Sequence, residues 1–170
     1  PAGVRALLLV VGGTLGGLAS LDLWLFFVFS CLTLVAGRSL LPASSVAARR
    51  AYTLAAALGG AALTATLVIL ESPRLALGGE APFDLAGTAP HGVSGTAETA
   101  IFVLAGVAAL MRLGAPPFHS WLPLALRDGP TAMAVVVVAG TSLGLSLVER
   151  IPTLLAPDAS GALVEGVVHA

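Results

Sequence analysis

Five apolar runs, each near the length of a bilayer crossing, constrain this chain more than any motif does. A spanning helix needs about 20 apolar residues. Residues 4–19, 21–41, 51–70, 99–127 and 131–148 meet or approach that length, the first being slightly short and rich in glycine. The chain is 57% hydrophobic and 10% charged, with a mean hydropathy of +0.99. A soluble domain carries about a quarter charged residues, so an ordinary soluble globule is excluded. The expectation is an all-α, polytopic transmembrane helix bundle forming a single domain over 1–170, with lipid as its main solvent. Val135 to Val138 would suit a strand in a soluble protein. Here length and context favour a helix.

The connections are short, with one exception. Ser20-Leu21-Asp22 reads as a tight turn and Pro42 to Arg50 as a polar link. Residues 71–98 hold Pro73, Pro82, Pro90, five glycines and four acids against one arginine, and read as an exposed loop. Gly129-Pro130-Thr131 opens the last helix, with Pro130 suited to a helix start. Arginine placement gives an orientation. Arg38, Arg49 and Arg50 share one side, and with Arg5, Arg112 and Arg127 on that side the acidic 71–98 loop faces outward.

The fourth run is interrupted. Met111-Arg112-Leu113-Gly114-Ala115-Pro116-Pro117-Phe118-His119-Ser120-Trp121-Leu122-Pro123 sets a charge, two adjacent prolines, a histidine and a tryptophan in an apolar context. Proline lacks an N–H and clashes with the preceding turn, and it pushes the residue before it out of helical geometry. The spacing predicts a discontinuous helix broken near 112–117. At membrane depth, broken backbone survives only against protein or a wet cavity, and half-helices flanking a charge are how many transporters build ion sites. The plainer reading is a helix that ends at the membrane surface, with Arg112 and Trp121 as interfacial anchors.

Other function classes drop out. The net charge is −1, all eight basic residues are Arg, and Arg49-Arg50 is the only basic cluster in sequence, so nucleic acid is not an expected partner. One cysteine, Cys31, excludes an internal disulfide and a Cys-rich metal site. His91, His119 and His169 are far apart, and no dinucleotide, P-loop or nucleophile-elbow pattern occurs. No catalytic residue, cofactor or metal site is expected. Pro1 in place of Met, and an apolar opening at 161–170, are what a processed or internal fragment would show.

Arg112-Leu113-Gly114-Ala115-Pro116-Pro117-Phe118-His119-Ser120-Trp121-Leu122-Pro123, followed by Asp128-Gly129-Pro130-Thr131-Ala132, resembles the signature of the antiporter-like, proton-conducting membrane subunits. These occur in respiratory complex I (NADH:quinone oxidoreductase), Mrp-type cation/proton antiporters and membrane-bound hydrogenases. Phe26 to Leu32 is similar to an earlier helix of that family, and Leu155 to Ser160 to the loop after the helix that follows the signature. The resemblance implies a membrane subunit of a larger complex that moves protons or monovalent cations through buried ionisable groups. Its partners would be other membrane subunits, and its location a bacterial or archaeal inner membrane. Any oxidoreductase chemistry would belong to those partners.

The family's pattern also marks where this chain departs. A Lys is usual at the position of Arg112, and a Glu at the position matched by Cys31. Arg is effectively always protonated, and a thiol is neutral at pH 7 unless activated. Residues 131–148 hold no Lys, His, Asp or Glu. Arg112 and His119 are the pathway candidates. Arg112 reads either as a fixed charge beside a half-channel or as a structural arginine paired with a partner subunit. His119 reads either as a proton station or as a helix-capping histidine. Pro116, Pro117 and Pro123 shape the break under both readings. Asp22 and Arg38 suit solvated helix ends, and Glu98 suits a helix N-terminus. Two functions remain: a conducting subunit, or a scaffold that keeps the fold and has lost the conducting residues.

Overall fold

The computed structural model describes residues 2–76 and 95–151. They form six helices: α1 (Ala2–Ala19), α2 (Leu23–Leu40), α3 (Val46–Ala76), α4 (Gly95–Leu113), α5 (Trp121–Asp128) and α6 (Met133–Arg150). The fold is an all-α bundle. Four helices are long and apolar enough to cross a membrane, over Leu23–Leu40, Val46–Ser72, Gly95–Leu113 and Met133–Arg150. The apolar stretch of α1, Gly3–Ala19, is shorter. Most of the expected 71–98 loop, with His91, lies outside the described residues, as do His169 and the Leu155–Ser160 match.

Helix ends follow local hydrogen bonding more than hydropathy. Asp22 caps α2 by accepting from the Trp24 amide at 3.0 Å, which satisfies one orphan donor of the first turn. The α3 ladder runs on through polar Glu71 and Ser72 to Ala76, six residues past the end expected at Leu70, and α4 opens at Gly95, four residues before Thr99. The Ser72 hydroxyl donates to the Ile69 carbonyl at 2.9 Å, and that of Thr99 to the Gly95 carbonyl at 2.9 Å. Polar side chains that bond their own helix do not end it.

Helix α6 is the hub, packing on α1, α2, α4 and α5, while α1 pairs with α2 and α3 with α4. Glycines set the closest approaches. A Cβ on Gly13 would stand 2.6 Å from the Thr33 hydroxyl, so α1 and α2 meet nearly backbone to backbone. Gly140 and Gly144 form a G-x-x-x-G face of α6 against the end of α4: a Cβ on Gly144 would be 3.2 Å from the Ala109 carbonyl. Small residues are what let membrane helices approach this closely.

Two clusters fill the interior. One joins Leu23, Phe26, Leu67, Ile101, Leu147 and Ile151 near one end of the bundle. The other joins Leu41, Ala48, Tyr52, Trp121, Met133 and Val136 near the opposite end. Leu8, Leu15, Val35, Leu54, Leu58, Val68 and Val138 remain exposed on the outside. An apolar exterior of this extent fits an integral membrane protein surrounded by lipid or partner subunits.

The antiparallel order segregates charge. The second cluster's end carries Arg5, Arg38, Arg49, Arg50 and Arg127, with Asp128 as its acid, and Arg112 enters the bundle from it. The first cluster's end carries Asp22, Glu71, Glu98 and Glu149, with Arg150.

Candidate functional site

The α4–α5 junction is built by a glycine. Gly114 has φ of +62°, a conformation open to glycine at little cost. Its amide donates to the Met111 carbonyl at 3.4 Å, and the Ala115 amide to the Leu110 carbonyl at 3.1 Å. These two bonds are the Schellman motif that ends many helices. Helix α4 therefore stops at Leu113, ahead of the prolines to which the sequence pattern assigned the break. Pro116 and Pro117, joined by a cis peptide bond, follow in the connecting turn. Pro123 stands third in α5, where a backbone N–H has no intrahelical acceptor, so it helps to start that helix.

Trp121 folds α5 back under the end of α4. Its indole N–H donates to the Met111 carbonyl at 3.2 Å, and its ring meets Tyr52 edge-on with centroids 5.5 Å apart. Trp121 is 6% exposed, buried in the bundle and not an anchor at its rim. Tyr52 donates to the Leu34 carbonyl at 3.2 Å, tying α3 to α2.

Arg112 occupies the last turn of α4, where a cation is favoured by the helix dipole. It is 6% exposed. Its Nε and one terminal nitrogen, Nη1, have no hydrogen-bond acceptor among the described residues. The side chain lines a cavity with a free volume of about 30 Å³, together with Thr33, Leu34, Tyr52, Gly59, Trp121, Val136 and Gly140. That is room for about two water molecules, at roughly 10–15 Å³ each. The cavity's hydroxyl groups already donate to backbone, Thr33 to Phe29 at 3.0 Å and Tyr52 to Leu34. Their lone pairs are left to accept. A molecule that accepts from Arg112 and donates to Tyr52 or Thr33 matches this lining, and water does both.

The other sequence candidates are dispersed. His119 is exposed in the connecting turn and does not line the cavity, nor do Pro116, Pro117 and Pro123. Cys31 is half-buried on α2, outside the lining. Asp22 is the α2 cap, and Glu98 is buried in the first turn of α4. Arg127 pairs with Asp128 at 2.7 Å on the surface, and that hydrogen bond holds the Asp128 carboxyl below the usual carboxylate range. Tyr52 is the site residue that sequence reasoning missed. A lone ionisable residue near the start of the third run was its only signal.

Arg150 also has a role that the sequence did not reveal. Its Nη2 donates to the Ser20 carbonyl at 2.7 Å and to the Gly17 carbonyl at 3.5 Å, with the guanidinium 4.8 Å from the Phe26 ring centre. It ties the end of α6 to the end of α1, where the last carbonyls lack i+4 helical donors; the Gly17 carbonyl also accepts from the Ser20 hydroxyl at 2.7 Å.

The profile of a family described as NADH:quinone oxidoreductase/Mrp antiporter, TM, matches residues 19–163. A relative, NADH-quinone oxidoreductase subunit N of Paraburkholderia phymatum, is 48% identical over 40 residues. That alignment covers 24% of this chain and 8% of the relative. No solved structure matches the chain.

Proposed function

Because this chain belongs to the NADH:quinone oxidoreductase/Mrp antiporter transmembrane family, we propose that it is a membrane subunit that moves protons or monovalent cations around the interruption between α4 and α5. It would work beside other membrane subunits of one complex. The matched relative is named as a subunit of an NADH-quinone oxidoreductase; redox chemistry, where the complex has it, would lie in those partners. The arginine-rich end faces the cytoplasm of a bacterial or archaeal cell under the positive-inside rule.

The observation that carries this reading is the enclosed guanidinium of Arg112 in the wall of a cavity at the end of α4, with two nitrogens that have no acceptor among the described residues. An ionisable group inside a membrane bundle is a functional position by default. Arg112 acts as a fixed positive charge that sets the field for ions and protons crossing nearby water. Arg is effectively always protonated, so the moving proton is carried by water and by groups that titrate. His119, exposed in the connecting turn, is the candidate for exchange at that end.

A scaffold role is the second reading. Cys31 and Arg112 replace the family's usual Glu and Lys, and residues 131–148 supply no titrating side chain. The deciding experiment is reconstitution of the native complex carrying wild-type, Arg112→Lys or Arg112→Ala chain, with ion flux and subunit content both measured. Loss of flux in Arg112→Ala with assembly intact and flux kept in Arg112→Lys supports conduction. Unchanged flux in assembled Arg112→Ala complex leaves the scaffold. Mass spectrometry of the co-purifying subunits identifies the complex: iron–sulfur or flavin subunits mark a redox-driven one, and antiporter-like siblings alone mark an Mrp-type assembly.

A further inference from the structure

We infer that the groove between the end of α2 and the start of α3 binds the phosphate headgroup of a net-anionic glycerophospholipid. In sequence the only basic cluster is Arg49-Arg50. In the fold Arg38 joins them, and the three arginines line one open groove of about 530 Å³ with Thr53 and Leu54.

The groove is organised. Arg38 Nε donates to the Thr53 hydroxyl at 2.8 Å, and that hydroxyl donates to the Arg49 carbonyl at 2.6 Å. This chain of bonds holds Arg38 across the α2–α3 gap and engages only its Nε among the described residues, so its two terminal nitrogens can contact an anion. Arg49 Nε is buried and has no acceptor among the described residues. Guanidinium groups suit phosphate because their N–H pairs match its oxygens.

The surface beneath the arginines selects a lipid over a free ion. Leu54 and Leu58 follow Arg50 at helical spacing along α3, 64% and 57% exposed. Residues four apart share a helix face. Phosphate in the groove would therefore lead directly to an apolar stripe running toward the bilayer interior, which suits an acyl chain. Basic pockets between transmembrane helices commonly take anionic headgroups. The inference needs only that the chain is a membrane protein, so it stands apart from whether the chain conducts.

Native mass spectrometry of the detergent-solubilised protein, with whatever subunits co-purify, tests this after incubation with equal amounts of phosphatidylglycerol and phosphatidylcholine. Wild type is expected to retain phosphatidylglycerol in about tenfold preference, a preference that falls as salt rises. The triple variant Arg38→Gln/Arg49→Gln/Arg50→Gln should lose it, and Arg5→Gln, at the same end but outside the groove, should keep it. The single variant Arg50→Gln, at an exposed position, should show a partial loss of about threefold even where the triple variant does not assemble. Equal retention of the two lipids, binding of inorganic phosphate that displaces the lipid, or a loss in Arg5→Gln matching the groove variants would overturn the assignment.

Discussion

The indole N–H of Trp121 donates to the main-chain carbonyl of Met111 across the turn that separates α4 from α5. That one bond places α5 beneath the end of α4, closes the cavity beside Arg112 and supplies the Met111 carbonyl with a side-chain donor. Trp121→Phe keeps most of the ring and removes the donor. It should lower the thermal stability of the detergent-solubilised protein by about 0.5–1.5 kcal/mol, the range for one hydrogen bond, because the Met111 carbonyl still accepts from the Gly114 amide. Trp121→Ala should cost more, roughly 3–5 kcal/mol.

Gly114 sets the stop. A side chain at φ +62° is strained, and a Cβ there would also stand 3.3 Å from Leu122. Gly114→Ala should destabilise by about 1–2 kcal/mol, while Ala substitution at exposed Pro116 should cost less. Equal losses from the two changes, read by thermal unfolding, would return the break to the prolines.

Gly37 makes room for Tyr52. A Cβ at Gly37 would collide with the Tyr52 hydroxyl and stand 2.6 Å from Val136 Cγ1. Gly37→Ala should push Tyr52 away from the Leu34 carbonyl and cost about 1–3 kcal/mol, as overpacking does. Tyr52→Phe in the same background should recover part of that loss. A fully additive double variant would show that the two positions are not coupled.

Arg150 should act as a clasp. Arg150→Gln removes the guanidinium from the Ser20 and Gly17 carbonyls and from the Phe26 ring. The expected loss is about 1.5–3 kcal/mol, the range for hydrogen bonds from a charged donor. Hydrogen exchange should rise first at the end of α1 and the last turn of α6. A rise confined to α6 would sink the clasp.

Water should reach the junction. With Cys31 replaced by Ser, a cysteine at Ala115 is expected to react with a membrane-impermeant thiol reagent, and a cysteine at buried Ala108 to resist it. Protection at both positions would argue for a junction sealed by neighbouring protein.

The sequence by itself determined that this is a bundle of membrane helices. Apolar runs near 20 residues leave the backbone no water to bond, so it must satisfy itself within each helix. It also set residues 112–123 apart, because a charge and three prolines stand out there in an apolar string. It misplaced both ends of α3, at Ala51 and Leu70, and the start of α4, at Thr99: polarity suggested a link or loop at 46–50, 71–76 and 95–98, and the helices continue there. The tertiary structure alone decided which faces meet. These helices are apolar nearly all round, so no polarity pattern distinguishes a protein-facing side from a lipid-facing one. The approach of Tyr52 to Trp121, the alignment of Arg38 with Arg49, and the reach of Arg150 to Ser20 join residues up to 130 positions apart. Close packing at Gly13, Gly37 and Gly144 selects those contacts, and a glycine's small size carries meaning only once its neighbour is known.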